Sequence, residues 1–251
     1  MKNFCKTRFL SILRMFCPKL SGTSVLMYHS VGNNSEFFTV TKESFEKQMK
    51  YLKDRNFSVI SLRELADQIK NGKPIANTVA ITFDDGYKDN IEFAYPVLKK
   101  YGFPAAIFVT TGSVGEENFL SADDLKKISL EELVEIFPHS ITHPKLSKIS
   151  FDQAKREIED SRRVIESITG KAADIFAYPY GDFSSELVDY LKKGNWRSAV
   201  SVYEGVVKDG DDIFTLKRNS IDSTTIMTQF KAKVSDAIEV YNWMKNYVKS
   251  K

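Results

Sequence analysis

Strand-like and helix-like patterns alternate along this chain with few interruptions. Residues 24–29 (SVLMYH) read as a buried strand. Thr41 then caps a helix through about Arg55, with Phe45, Met49 and Leu52 on one face. A short strand is expected at 57–60, and Ser61 caps a second helix that carries Leu62, Leu65 and Ile69. The run 78–83 is the most β-like in the chain. It ends in Asp84-Asp85-Gly86, and a helix over 91–101 follows. A strand at 105–109, ended by Thr110, Thr111 and Gly112, precedes a helical stretch over 122–136 with a break near Ser129. Next come a long helix over 151–169 closed by Gly170, a strand at 175–178, a helix at 184–193 and a strand at 199–202. The last strand is expected at 215–221. From Thr224 a C-terminal helix places Phe230, Val234, Ile238 and Tyr241 on one stripe.

Repeated strand-then-helix units imply parallel strands joined by right-handed crossovers, in either a barrel or an open doubly wound sheet. No GxGxxG or P-loop follows any strand, which weakens a nucleotide-binding reading. The length of 251 residues suits one α/β domain. With no internal repeat or Pro/Gly/Ser-rich linker, a single domain over 23–251, C-terminal helix included, is expected after a short N-terminal segment. The net charge of +3 is too small, and too little clustered, to argue for nucleic acid.

The segment 1–22 is basic and amphipathic. Phe9, Ile12, Leu13 and Phe16 fall at helical spacing among Lys2, Lys6, Arg8, Arg14 and Lys19. Arg14 interrupts what a secretory signal would keep apolar, and a membrane span needs about 20 apolar residues. Such a helix could rest on an anionic membrane surface through residues 1–20, or pack against the domain. Cys5 and Cys17 form no CxxC pair and read as two free thiols.

The chemistry gathers in two stretches, Thr82-Phe83-Asp84-Asp85-Gly86-Tyr87 and His139-Ser140-Ile141-Thr142-His143-Pro144. Together they supply adjacent carboxylates and two imidazoles four residues apart, enough for three ligands on one divalent metal with a carboxylate left over. Asp-Asp-Gly alone is a common turn. Here it closes a strand at the carboxyl end, where parallel α/β folds place their sites, and where two adjacent carboxylates can face one way. His139 and His143 could share a helical turn or meet across a tight loop, or else be structural hydrogen-bonders of loop backbone. Residue 140 is serine, so the HExxH peptidase pattern is absent. His29 closes the first strand at the same rim, either as a structural hydrogen-bonder or as a proton donor.

These stretches, with Phe176-Ala177-Tyr178-Pro179-Tyr180-Gly181, resemble the first three motifs of the polysaccharide deacetylase family, the NodB-homology carbohydrate esterases. The run 25–31 and the segment Leu216-Lys217-Arg218 resemble the branch that includes bacterial poly-N-acetylglucosamine deacetylases. The similarity spans about residues 24–221 in family order. It implies an α/β fold, a distorted (β/α) barrel with fewer than eight complete units, and a divalent metal of the zinc type at the carboxyl-end rim. By resemblance Asp85, His139 and His143 hold the metal and Asp84 is the general base. Pro179, Tyr180 and Tyr87 serve the substrate and oxyanion, through the backbone N–H of Tyr180. The implied activity is removal of N-acetyl groups from an N-acetylhexosamine polysaccharide, at an extracytoplasmic or membrane-associated location rather than a cytoplasmic one. O-deacetylation of a glycan on the same site, and a non-catalytic glycan-binding descendant, are the alternatives.

The sequence departs from the family pattern in three places. No histidine follows His143, so the acid usually found near the C-terminus is missing, and in the poly-N-acetylglucosamine branch the N-terminal Tyr-His motif supplies it, which points to His29. Ala177 stands where many relatives place an arginine that orients the base. Arg218 could reach the same spot from the last strand, or be an ordinary surface arginine. Phe137-Pro138 replaces small residues, and such a bulky pair could narrow the site or shift His139.

Overall fold

The computed structural model describes residues 19–249 apart from residue 74, together with residues 12, 13, 15 and 17. Its strands are β1 (Thr23–Tyr28), β2 (Ser30–Val31), β3 (Thr39–Val40), β4 (Ser58–Val59), β5 (Thr78–Phe83), β6 (Ala105–Val109), β7 (Val134–Pro138), β8 (Ile175–Ala177), β9 (Ser198–Val200) and β10 (Asn219–Ser220). The helices are α1 (Lys42–Asp54), α2 (Leu62–Lys70), α3 (Tyr95–Tyr101), α4 (Ala122–Ile128), α5 (Phe151–Thr169), α6 (Ser185–Lys193), α7 (Met227–Lys233) and α8 (Ala237–Lys249). Five strands run in the order β10-β1-β5-β6-β7, with β4 beside the start of β5; β2–β3 and β8–β9 form separate pairs. All these ladders are parallel.

The sheet curls into an incomplete barrel. Leu216 bridges Val200 in parallel, and the Arg218 N–H donates to the Tyr203 carbonyl. The chain therefore lies first beside β9 and then, as β10, beside β1. Among the described residues β7 and β8 pack together without a ladder, which is where the ring is distorted. One buried cluster fills the interior with side chains from around the ring: Val25, Ala80, Phe108, Phe137, Ala177, Val200 and Leu216. Helices cover the outer faces, α1, α3 and α4 over the central strands and α5 and α6 over β8 and β9. Burial on both faces explains why β5 and β6 carry no charged residue and are apolar apart from the threonines of β5, and why their bounds coincide with those expected. The α5 bounds also coincide, set by a Ser150–Gln153 capping box and left-handed Gly170.

Four expectations are corrected. The helix over 122–136 ends at Ile128, and 134–138 is strand β7. There Val134 and Ile136 face the outer helices while Glu135 and Phe137 turn the other way. The helix over 91–101 opens as a π turn, Asn90–Ala94, before α3. The strand over 215–221 pairs as a ladder only at Asn219–Ser220, because it changes partner at Lys217-Arg218. The C-terminal helix breaks at Val234-Ser235-Asp236, where the Asp236 N–H donates to the Lys19 carbonyl and the Asp236 carboxylate accepts from Ser21.

Phe137 does not narrow the site. It is fully buried in the barrel interior against Phe108, with ring centroids 5.8 Å apart. Most of the expected segment 1–22, Cys5 included, lies outside the described residues; Leu13 and Cys17 pack beside Ala232 and Ala237. Among the described residues no helix is long and apolar enough to cross a membrane.

Candidate metal centre and active site

The barrel mouth is built at the carboxyl ends of β5, β6 and β7. The Asp84 N–H donates to the Tyr28 carbonyl at 2.9 Å, extending the β5–β1 pairing by one residue. The chain then turns through Asp85 (φ 72°) and Gly86 (φ 83°). Gly86 suits this turn by its left-handed backbone, and a Cβ there would also crowd the Val109 side chain at 3.2 Å. This turn lets both carboxylates serve one cleft.

Asp84 is only 2% exposed, and Arg218 is fully buried. The guanidinium meets the carboxylate as a fork, Nη1 to Oδ1 at 2.6 Å and Nη2 to Oδ2 at 2.7 Å. Its remaining contacts are Nε to the Ser201 carbonyl at 2.8 Å, Nη1 to Thr82 Oγ1 at 3.2 Å, and the Phe108 ring 5.5 Å away. Arg218 is thus no surface arginine. Burial works to raise the Asp84 carboxyl, but the charge and hydrogen bonds of Arg218 outweigh it and hold the group at about 2.

His139 and His143 meet across a tight loop, not on a helical turn. Ser140 and His143 adopt left-handed backbone, φ 66° and 56°. The end of β6 grips this loop: the His139 N–H donates to the Val109 carbonyl, and the Thr111 and Gly112 N–H groups donate to the Ser140 and Ile141 carbonyls. Glu157 of α5 braces the far side, accepting from the Ile141 and Thr142 N–H groups at 2.8 and 2.9 Å and from the Thr142 hydroxyl at 2.7 Å.

His139 Nδ1 lies 2.8 Å from the Ala177 carbonyl, which can only accept, so Nδ1 carries the proton and Nε2 presents a lone pair. That Nε2 is 3.2 Å from His143 Nε2, and Asp85 Oδ1 is 3.8 and 3.7 Å from the two nitrogens. A tetrahedral ion with bonds of about 2.0–2.2 Å spaces its ligands about 3.3–3.6 Å apart, so the three atoms fit one ion with little movement. The electrostatics fit as well. Burial lowers the His139 imidazole to about 3 and lowers His143 too, so both are neutral and can offer a lone pair, while burial raises the Asp85 carboxyl to about 6. A carboxylate held there favours a cation beside it.

These groups open into a cleft of about 410 Å³ that is also lined by His29, Phe38, Tyr87, Thr110, Phe119 and Tyr180. The rings of Phe38, Tyr87 and Phe119 stack into one wall, with successive centroids 5.5 and 4.8 Å apart. Tyr180 sits in a 3-10 turn with φ 58°, its ring edge-on to His143 at 4.5 Å. The next residue must be glycine, because a Cβ on Gly181 would lie 2.4 Å from Val202 Cγ2. Pro179 is buried in that turn and does not line the cleft. The arrangement can bind a cation, place an ionised carboxylate beside it, and present the His29 imidazole from the end of the neighbouring strand β1. Sequence reasoning missed Glu157, Phe38 and Phe119. Glu157 is one polar residue among many on its helix, and the two phenylalanines lie in loops without a periodic signal.

A family model described as "Polysaccharide deacetylase" matches residues 71–199. The protein YxkH of Bacillus subtilis (strain 168), provisionally named a polysaccharide deacetylase, is 31% identical over 195 residues, covering 77% of this chain and 69% of its own. The poly-beta-1,6-N-acetyl-D-glucosamine N-deacetylase of Staphylococcus aureus (strain MSSA476) is 29% identical over 206 residues, 77% of this chain and 71% of that protein. The solved structure of the Streptococcus pyogenes deacetylase PplD, in complex with acetate, superposes with a TM-score of 0.73 at 26% identity, covering 82% of this chain and 95% of that one.

Arg218→Met removes the charge and keeps the bulk. In the native protein the Asp84 carboxyl lies below its unfolded value of about 3.9, so its stabilisation is complete above about pH 4 and fades as pH falls towards 2. Without the guanidinium, burial raises the carboxyl above that value and destabilises the fold as pH rises. Urea unfolding should show a loss of about 3–5 kcal/mol at pH 7 and a smaller loss near pH 4. A deficit independent of pH would contradict the pairing.

Proposed function

The chain belongs to the polysaccharide deacetylase family, and we propose that it is a metal-dependent hydrolase that removes N-acetyl groups from an N-acetylhexosamine polysaccharide. The observation that carries this is the convergence of His139 Nε2, His143 Nε2 and Asp85 Oδ1 within 3.2–3.8 Å of one another, beside an Asp84 kept ionised by Arg218. The likeness to a poly-beta-1,6-N-acetyl-D-glucosamine N-deacetylase supports the substrate class. Such a polymer fits an extracytoplasmic or membrane-associated location.

Asp85, His139 and His143 would hold the ion. A divalent metal of the zinc type supplies Lewis acidity, polarising the acyl carbonyl and making a water acidic enough to ionise near neutral pH. Asp84 accepts the proton of the attacking water; Arg218 fixes its plane and its charge, leaving lone pairs on both oxygens free. The backbone N–H of Tyr180 steadies the negative oxygen of the tetrahedral intermediate. His29 gives a proton to the sugar nitrogen as the C–N bond breaks, so that acetate and a free amine leave. The stacked wall of Phe38, Tyr87 and Phe119 offers a flat apolar face to a sugar ring.

The protein should release acetate from oligomeric N-acetylglucosamine, lose this activity to a chelator and regain it with added Zn²⁺. Binding of metal and glycan without acetate release would point instead to a non-catalytic glycan-binding module. His29→Ala should lower turnover about 10²–10⁴-fold with metal content unchanged. Loss of metal in that variant would make His29 a ligand instead of the acid.

A further inference from the structure

The net charge of +3 hides an uneven distribution. Of 36 basic and 33 acidic residues, eight basic and no acidic ones lie within 1–19 and 240–251, so the intervening 20–239 carries −5. The fold brings these two stretches side by side. The Asp236 N–H donates to the Lys19 carbonyl at 2.8 Å, and the Asp236 carboxylate accepts from the Ser21 N–H and hydroxyl at 3.0 Å. Leu13 and Cys17 pack with Ala232, Ala237 and Tyr241.

Both stretches also turn apolar side chains outward. Ile12 and Met15 are 47% and 80% exposed; Trp243 and Tyr247, one turn apart on α8, are 66% and 51% exposed with their rings stacked at 5.8 Å. These are four of the ten large apolar side chains left exposed among the described residues, a concentration that marks an interaction surface. The fold does not require it, because α8 packs inward through Ala237, Ile238 and Tyr241. Cations alone would also suit a nucleic acid or an acidic protein. Aliphatic and aromatic side chains among cations, with no acid between them, suit the boundary between anionic headgroups and acyl chains.

We propose that this face, carried by α8 and the stretch before β1, docks the protein peripherally on an anionic membrane surface, with Trp243 and Tyr247 entering the headgroup layer. The stretch reaches the barrel at its amino end, where the Leu20 and Gly22 carbonyls accept the Asn77 and Thr78 N–H groups at the start of β5. The metal cluster lies at the carboxyl ends of β5 and β7. Docking at the amino end therefore leaves the cleft open to solution and to a polymer. The inference stands apart from the deacetylase reading, since it uses none of the cleft residues.

The test mixes the full chain with phosphatidylcholine vesicles, with and without phosphatidylglycerol, and follows co-sedimentation and tryptophan emission. Trp196 is buried, so a change in emission reports Trp243, the other of the two tryptophans. The protein should bind the anionic vesicles at about 0.1 M salt with a blue shift, and bind them less at about 1 M. Trp243→Ser combined with Tyr247→Ser should weaken binding about tenfold or more with Tm unchanged, both side chains being exposed. Lys245→Glu, at another exposed position, should weaken it at low salt. No binding, equal binding to the neutral vesicles, no blue shift, or full binding by these variants would overturn the assignment. A dimer of the free protein that the double substitution dissolves would overturn it too, giving the face to a second copy.

Discussion

The buried fork between Arg218 and Asp84 joins the two ends of the barrel's construction. Arg218 arrives where the chain leaves β9 for β1, and Asp84 ends the central strand β5. Two desolvated charges are costly unless their geometry and remaining hydrogen bonds are satisfied. Here four guanidinium contacts meet that demand, to Asp84 twice, to Thr82 and to the Ser201 carbonyl. The same pair that closes the distorted ring therefore also keeps a carboxylate charged at the floor of a buried cleft. An uncharged carboxyl there would serve neither as a base nor as a partner to a metal centre.

Around that pair the backbone is unusual where the chemistry is densest. Asp85, Ser140, His143 and Tyr180 all have positive φ, and each lines the cleft or sits in the histidine loop. Such conformations cost energy and persist when surrounding contacts overdetermine them. Those contacts are visible: the end of β6 grips the histidine loop, Glu157 braces its outer side, and Gly181, just after Tyr180, packs its backbone closely against Val202. Ligand atoms held this way need little rearrangement to receive an ion.

Much of this was legible in the residues. β5 and β6 are uncharged, buried on both faces and bounded by turn residues, so their limits followed directly; α5 carried its own cap and stop. β7 was hidden because Leu125, Ile128 and Ile136 keep helical spacing across a stretch that is strand at its end. The last strand was overdrawn because its partner changes at Arg218, a tertiary event with no local signature. At the site, the identities of the carboxylates and imidazoles were readable, since their chemistry lies in the side chains themselves. Glu157 was not, because its importance comes entirely from what the fold places beside it. Phe137 shows the converse: a bulky residue two positions before His139, kept out of the cleft because the strand turns it into the barrel interior.

The most direct measurement takes Asp84→Asn, checked for folding by circular dichroism, and determines metal stoichiometry and acetate release on the same sample. The expected result is one Zn²⁺ per chain with turnover of oligomeric N-acetylglucosamine lowered by about 10²–10⁴-fold. Undiminished turnover, or loss of the metal together with the activity, would contradict the role of Asp84 as a base distinct from the ligands.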